Sequence, residues 1–350
     1  MSRHHTRELR KFDRSSVLVR MGNTPSRLNP PLDWEKTFPH PLDKPRNVVI
    51  GGVGGSGIAG DIITDYLRAV GDAPISVCRA LRIPNHVEEN TLFLAISYSG
   101  ETVETLSLLE QAANRKAMLA SITSGGTLLS ISLARKIPYL KVEADLPPRV
   151  ALPELVASAL FVIGRAGLLK DIDRILADVS KSVASLIESI NPEKPAEQNA
   201  AMQMAERLHD KLPLLFGPEE RASVLRRFKN ELNENSKMPA FYVSTPEGYH
   251  DDIEGLRTLS LLCSPQPILL LTRDETRGQS KTREALQALL NELSLSSPLT
   301  FEGQGGNMLS ELFTAVTFGD YVSVYLALLR GIDPTTLELI PRFRAAMRSG

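Results

Sequence analysis

Ser97–Thr102 (SYSGET) gathers three hydroxyls, Ser97, Ser99 and Thr102, around Gly100. The apolar run FLAI precedes them and a helical pattern follows, so the hydroxyls can point toward the free N–H groups of a first helical turn. Hydroxyls, amides and the helix dipole together make a phosphate site that needs no lysine. The competing account is helix capping, which needs a single hydroxyl; three beside a glycine exceed that need. A glycine string, Gly51–Gly60 (GGVGGSGIAG), occupies the same position after an earlier strand pattern. Glycine permits positive φ and close backbone approach, which serves a ligand cradle or a tight structural turn equally well. Ser121–Gly126 (SITSGG) closes the next strand with hydroxyls and glycines, so three strand ends can converge on one crevice.

Residues suited to proton transfer stand further along. Glu231 and Glu234, in Lys229–Lys237 (KNELNENSK), share a helix flank just before Pro239. Glutamate is usually a solvated surface carboxylate. Asn230, Asn233 and Asn235 weaken that account, because asparagines disfavour a helix end unless they hydrogen-bond something specific. His250 lies in PEGYHDDIEG; an imidazole titrates near neutrality and suits acid–base work, although capping or plain surface exposure would also explain it. Arg149 sits in Leu146–Pro153 (LPPRVALP), where three prolines stiffen the chain and can pre-position a guanidinium. A surface ion pair is the alternative there.

The elements that must hold these residues alternate. Strand patterns at Asn47–Gly51, Ile75–Cys78, Thr91–Ser97 and Lys116–Thr123 are separated by helical spacing at Ile58–Val70 and Thr102–Ala113. Ile172–Ile190 reads as a helix, and Asn191–Asn199 (NPEKPAEQN), with two prolines, as an interdomain linker. The second half repeats the alternation: strands at Leu212–Phe216, Ile268–Thr272 and Leu299–Phe301, and helices at Glu219–Leu232, Thr282–Leu293 and Met308–Leu329. The pattern predicts an α/β protein of two similar domains with mostly parallel sheets. The expected boundaries are a 1–44 extension, domains at 45–190 and 200–350, and the linker 191–199.

Composition narrows the function. Forty basic residues face 41 acidic ones, so nothing marks a nucleic-acid or anionic membrane surface. Cys78 and Cys263 fit no metal spacing, and the six histidines are scattered, so no metal site is expected. No stretch is read as a membrane helix of ~20 apolar residues. The basic segment Met1–Arg14 lacks a following apolar signal core and is expected to be a partly ordered tail, with the cytoplasm as address. Gly52, Gly54 and Gly57 match G-x-G-x-x-G, but Val77–Leu81 offers no ribose-binding acid, which disfavours a nicotinamide-dependent dehydrogenase; no Walker loop follows either.

The GGSG turn at Gly54–Gly57, then SYSGET, then SITSGG, resembles the sugar-isomerase (SIS) domain, a flavodoxin-like fold that binds phosphosugars. Over about residues 45–345 the chain resembles the bifunctional phosphoglucose/phosphomannose isomerases. The resemblance implies two SIS domains, a homodimer, a sugar-phosphate substrate and no cofactor. It places Gly55, Ser56, Ser97, Ser99 and Thr102 at the phosphate. It makes Glu234, in an E-N-x-K string, the base between C1 and C2, and Arg149 the stabiliser of the enediolate. His250 becomes the ring-opening residue, reaching into the partner subunit's site, with Asp251 where the family usually has asparagine. Near the C-terminus the family carries a lysine, and Arg344 in Ile340–Arg344 (IPRFR) stands in its place. Arginine keeps the charge but does not readily give up a proton. Thr335 and Thr336 are weaker candidates for the threonine tied to mannose 6-phosphate. A non-catalytic sugar-phosphate regulator and an isomerase of another sugar or amino-sugar phosphate remain as alternatives.

Overall fold

The computed structural model describes residues 10–29, 42–293 and 295–348. Most of the basic segment Met1–Arg14, residues 1–9, lies outside them. Two compact units divide the chain: Asn23–Ala184 with Gly305–Leu312, and the remainder. The chain enters through helix α1 (Val17–Gly22), part of the second unit. Asp13 caps it, its carboxylate accepting from Val17 N at 2.6 Å and Leu18 N at 3.1 Å. Val17, Leu18 and Met21 are buried, so this part of the extension is built into a core.

The first unit holds β1 (Asn47–Gly51), β2 (Ile75–Cys78), β3 (Thr91–Ile96), β4 (Met118–Thr123) and β5 (Tyr139–Lys141). They pair in parallel in the order β2-β1-β3-β4-β5. Every residue of β3 is buried, as a central parallel strand covered on both faces requires. Around the sheet run α2 (Gly55–Val70), α3 (Val103–Asn114), α4 (Gly126–Arg135) and α5 (Leu152–Arg165), and α6 (Ile172–Ile190) leads into the second unit. Val49, Phe93, Leu108, Leu109 and Leu128 form the core on one side of the sheet.

Three of these helices differ from the sequence reading, and one of them, α4, is not among its helical segments. α2 starts at Gly55, three residues before the first apolar position, because the glycines themselves form its first turn. α5 has no counterpart in the sequence reading, which took the proline-rich segment at its start as a loop. Pro153, read as a loop stiffener, lies in its first turn, where a missing N–H costs nothing.

The second unit repeats the strand order. β6 (Leu212–Pro218), β7 (Phe241–Thr245), β8 (Pro265–Leu271) and β9 (Leu299–Glu302) are parallel in the order β7-β6-β8-β9. Its helices are α7 (Ala200–Leu208), α8 (Ala222–Glu234), α9 (Leu256–Leu262), α10 (Arg277–Glu292), α11 (Met308–Leu329), whose first turns belong to the first unit, and α12 (Leu339–Arg348). α11 amends one expectation. By length and composition it is apolar enough to cross a membrane, with a window mean hydropathy of 1.6. However, 89% of that window is buried inside the protein, as in a core helix.

The polar segment Asn191–Asn199 is fastened rather than loose. The Asn199 side chain caps α7 by accepting from Met202 N at 3.0 Å and donates to Ile190 O at 2.9 Å. Tyr325, on α11, donates its hydroxyl to the same carbonyl at 2.6 Å. Tyr325→Phe is expected to cost about 1 kcal/mol, the net worth of one such bond, read as a lower urea midpoint at unchanged slope.

Candidate active site

In an open parallel sheet, ligands bind beyond the carboxyl ends of the strands, where neighbouring connections leave in opposite directions. In the first unit that point lies between β1 and β3. The glycine turn follows β1 and the hydroxyl turn follows β3. Ser56 Oγ accepts from Tyr98 N at 3.4 Å and ties the two turns together. Ser97, only 1% exposed, organises its own loop: its hydroxyl accepts from Gly100 N at 3.1 Å and donates to Thr102 Oγ1 at 2.9 Å. Thr102 occupies the N-cap position of α3 but makes no side-chain cap bond, so simple capping does not account for it. Ser99 is exposed, its oxygen accepting from Glu101 N at 3.3 Å.

The third turn closes against the second. Ser124 donates both its N–H and its hydroxyl to Tyr98 O, at 2.9 and 2.7 Å. Gly100 and Gly126 both have φ of +70°, and a Cβ on either would overlap the backbone of the opposite loop. Glu101 spans the seam, accepting from Thr127 N at 2.7 Å. The N-termini of α2, α3 and α4 therefore open at one edge of the sheet, with Gly55, Ser56, Ser97, Ser99 and Thr102 gathered there. Amides and hydroxyls converging in this way have the chemistry to receive an anion.

Arg149 borders the same crevice. The Tyr98 hydroxyl accepts from Leu146 N at 2.8 Å, and burial raises the pKa of that hydroxyl. A turn closed by Val150 N donating to Pro147 O at 2.8 Å then carries Pro148 and Arg149. The Pro148 carbonyl lies 3.8 Å from where a Cβ on Gly55 would stand. Arg149 is 8% exposed, so its guanidinium is held among protein groups. Arg79, absent from the sequence candidates, braces α2: it donates to Gly57 O at 2.9 Å and pairs with Asp61 at 2.5 Å.

Glu234, His250 and Arg344 belong to the second unit. Glu231 and Glu234 part company there. Glu231, 2% exposed, pairs with Arg227 Nη1 at 2.8 Å and accepts from Asn235 Nδ2 at 2.9 Å. Arg227 also forks onto Asp320 at 2.8 and 2.9 Å, and Asn235 donates to Ser323 Oγ at 2.8 Å. Burial pulls the Arg227 pKa down, but Asp320 and Glu231 outweigh it and the net shift is upward. Glu234, half-buried, is the last residue of α8, and Lys237 Nζ donates to its carbonyl at 2.6 Å. The asparagines do have specific partners: Asn233 donates to Met238 O at 2.8 Å, and Asn235 joins the Arg227 network.

His250 follows the carboxyl end of β7, exposed in a pair of 3-10 turns, its ring 5.2 Å from that of Tyr249. α8 returns from the carboxyl end of β6 to the start of β7, so Glu234 lies at the opposite, amino-terminal edge of that sheet. The length of β7, about 16 Å at ~3.3 Å per residue, separates the two within one protomer. Arg344 is exposed on α12. Among the described residues, no group of three or more His, Cys, Asp or Glu is arranged to hold a metal ion.

Comparison with known proteins agrees with this architecture. Residues 42–132 match the SIS domain and residues 197–347 the bacterial phospho-glucose isomerase C-terminal SIS domain. A hypothetical protein from Thermus thermophilus shares the fold with a TM-score of 0.74 at 15% identity, over 98% of this chain and 92% of that one. Crevice and sheets thus define a double SIS-domain protein. A bifunctional phosphoglucose/phosphomannose isomerase of Caldicellulosiruptor bescii is 31% identical over 84% of this chain and 87% of its own. A D-glucosamine-6-phosphate 4-epimerase of Sulfolobus acidocaldarius is 25% identical over 84% and 86%. The chain belongs to the bifunctional phosphoglucose/phosphomannose isomerase family and is an enzyme of the isomerase class.

The network below Glu234 gives a stability expectation. Arg227→Ala leaves Glu231 and Asp320 facing each other without their cation and should destabilise the protein by about 3–5 kcal/mol in denaturant titration.

Proposed function

We propose that the protein interconverts glucose 6-phosphate, mannose 6-phosphate or both with fructose 6-phosphate, through a cis-enediolate and without a metal. The observation that carries the reading is the crevice beyond β1 and β3, where helix N-termini and hydroxyls converge with Arg149 alongside. Gly55, Ser56, Ser97, Ser99 and Thr102 hold the phosphate. Glu234 takes the C2 proton of the open-chain aldose; the electron pair forms the C1–C2 double bond and charge collects on O1. The Arg149 guanidinium offsets that charge. Glu234 returns its proton to C1 while the O2 proton passes to O1, and the ketose forms with no net redox change. C2 is planar in the enediolate, so glucose and mannose 6-phosphates share one intermediate. Arg344 holds substrate by its charge.

Ring opening falls to the partner subunit's His250. The separation of Glu234 and His250 along β7 supports this, since a site needing both draws them from two protomers. The kinship with a protein named as a glucosamine-6-phosphate epimerase favours amino-sugar phosphates as a second substrate class.

The test is isomerisation of fructose 6-phosphate with both aldose products quantified, and glucosamine 6-phosphate assayed in parallel. Glu234→Gln and His250→Asn should each be inactive. Unfolded together and refolded, they should regain about a quarter of wild-type activity, since half the dimers are mixed and each mixed dimer has one intact site. No recovery from correctly folded protein sinks the shared site. Exhaustive treatment with EDTA should leave the rate unchanged; a loss restored by a divalent ion would overturn the metal-free mechanism.

A further inference from the structure

Within SYSGET, Tyr98 is the residue whose side chain takes no part in the hydroxyl cluster or the loop seam. Its polar atoms nevertheless reach three other connections of the same unit. The main-chain N–H donates to Ser56 Oγ at 3.4 Å, in the turn after β1. The carbonyl accepts from Ser124 N at 2.9 Å and Ser124 Oγ at 2.7 Å, in the turn after β4. The phenol oxygen accepts from Leu146 N at 2.8 Å, in the connection after β5. Tyr98 itself follows β3, so four strand ends meet on one residue. The connection that its hydroxyl holds is stiff: Asp145 has a φ of +63°, Leu146 is buried, and Val150 N closes onto Pro147 O at 2.8 Å. Arg149 stands inside that closed turn. Packing alone would need only the ring of Tyr98, whereas its hydroxyl meets a main-chain donor. Burial, joined by the Asp145, Glu154 and Glu143 carboxylates, raises the hydroxyl pKa against the opposing Leu146 hydrogen bond, so the oxygen accepts as a neutral phenol.

We propose that Tyr98 is a positioning residue for Arg149: its main chain is locked to the hydroxyl turns, and its hydroxyl fixes the guanidinium-bearing turn relative to them. Ser97 and Ser99 flank it in the chain, and Ser56 can donate its proton to a phosphate oxygen while still accepting from Tyr98 N–H. A phosphate seated on these serines therefore also orders the residue that holds the Arg149 turn. Binding energy gained at the phosphate, remote from C1 and C2, is converted into placement of the charge that offsets O1. Tyr98 meets no reacting atom and acts through Arg149. The inference rests on the isomerase reading above, to which it adds a link between the two ends of the substrate.

Steady-state kinetics of the full chain with fructose 6-phosphate test it. Tyr98→Phe keeps the ring and removes the oxygen that Leu146 N–H needs, so circular dichroism should stay native. Its kcat should fall about 10- to 100-fold, the cost of a charge misplaced by ~1 Å. KM, and the inhibition constant of inorganic phosphate as competitor, should stay within about twofold of wild type. In an Arg149→Ala background the same substitution should change kcat by less than about twofold, because the two residues act as one unit. A merely structural tyrosine would show neither the kcat-only loss nor its disappearance in that background. Wild-type kcat in Tyr98→Phe overturns the proposal. So does a loss that persists undiminished beside Arg149→Ala, or one matched by an equal loss of phosphate affinity, which would assign Tyr98 to the phosphate cradle alone. If the wild-type chain turns over no sugar phosphate, or Arg149→Ala keeps the full rate, the isomerase reading falls and this one with it. If both behave as expected and Tyr98→Phe is unimpaired, only the positioning role falls.

Discussion

A single buried cation governs the geometry on which the rest turns. Arg227 lies within α8 and is gripped by Asp320 from α11 and by Glu231 from its own helix. Three charges out of water are costly, and a well-packed apolar substitute of similar volume would often be no less stable. What the ionic arrangement supplies is direction. It fixes the rotation of α8 against α11, and Asn235 extends the same network past the last helical turn to Ser323. Glu234 lies between two residues so held, Glu231 and Asn235, with its own carbonyl bound by Lys237. The helix end that carries Glu234 is thus fastened on both sides of it.

The two sheets show how one topology is put to different uses. Both run second-first-third-fourth in strand order, so both have a switch point between their first and third strands. In the first unit, the turns there are small and hydroxylic, and they leave amides available. At the equivalent place in the second unit, Gly217, Pro218, Leu270 and Thr272 line a cleft where Arg283 is already engaged bidentately by Glu275. Glu275 raises the pKa of that arginine further. A guanidinium so occupied has no fork left for a phosphate. The duplicated scaffold therefore differs at its two switch points: hydroxyls and helix N-termini converge on the first, and an internal ion pair occupies the second.

Much of this is legible in the sequence, and the gaps have physical reasons. Short apolar runs ending in glycine or serine announce β1, β3 and β4, because parallel strands buried on both faces leave no other pattern. The hydroxyl cluster is readable because its residue types exceed what a helix cap needs. β7 carries no such mark: it is an edge strand with no fully buried residue, so its composition holds little apolar signal. α5 escapes because Pro153, which suits the first turn of a helix, belongs to a proline-rich string that reads as a loop. The role of Glu231 is not written locally, since its environment depends on Asp320 and Ser323, more than 80 residues away. Nothing in the KNELNENSK string alone separates a buried structural carboxylate from a half-buried one three positions later.

The seam between the second and third turns has a consequence for descent. Gly100 occupies the space that the Gly125 carbonyl leaves, and Gly126 the space beside Ser99. Neither loop can gain a side chain at these points while the other keeps its course. The positive φ at both positions adds a conformational penalty to the steric one. Drift at either position is therefore closed unless the backbone of the opposite loop also moves. Variation among descendants of such a protein is channelled away from the seam toward the outer faces of the helices behind it.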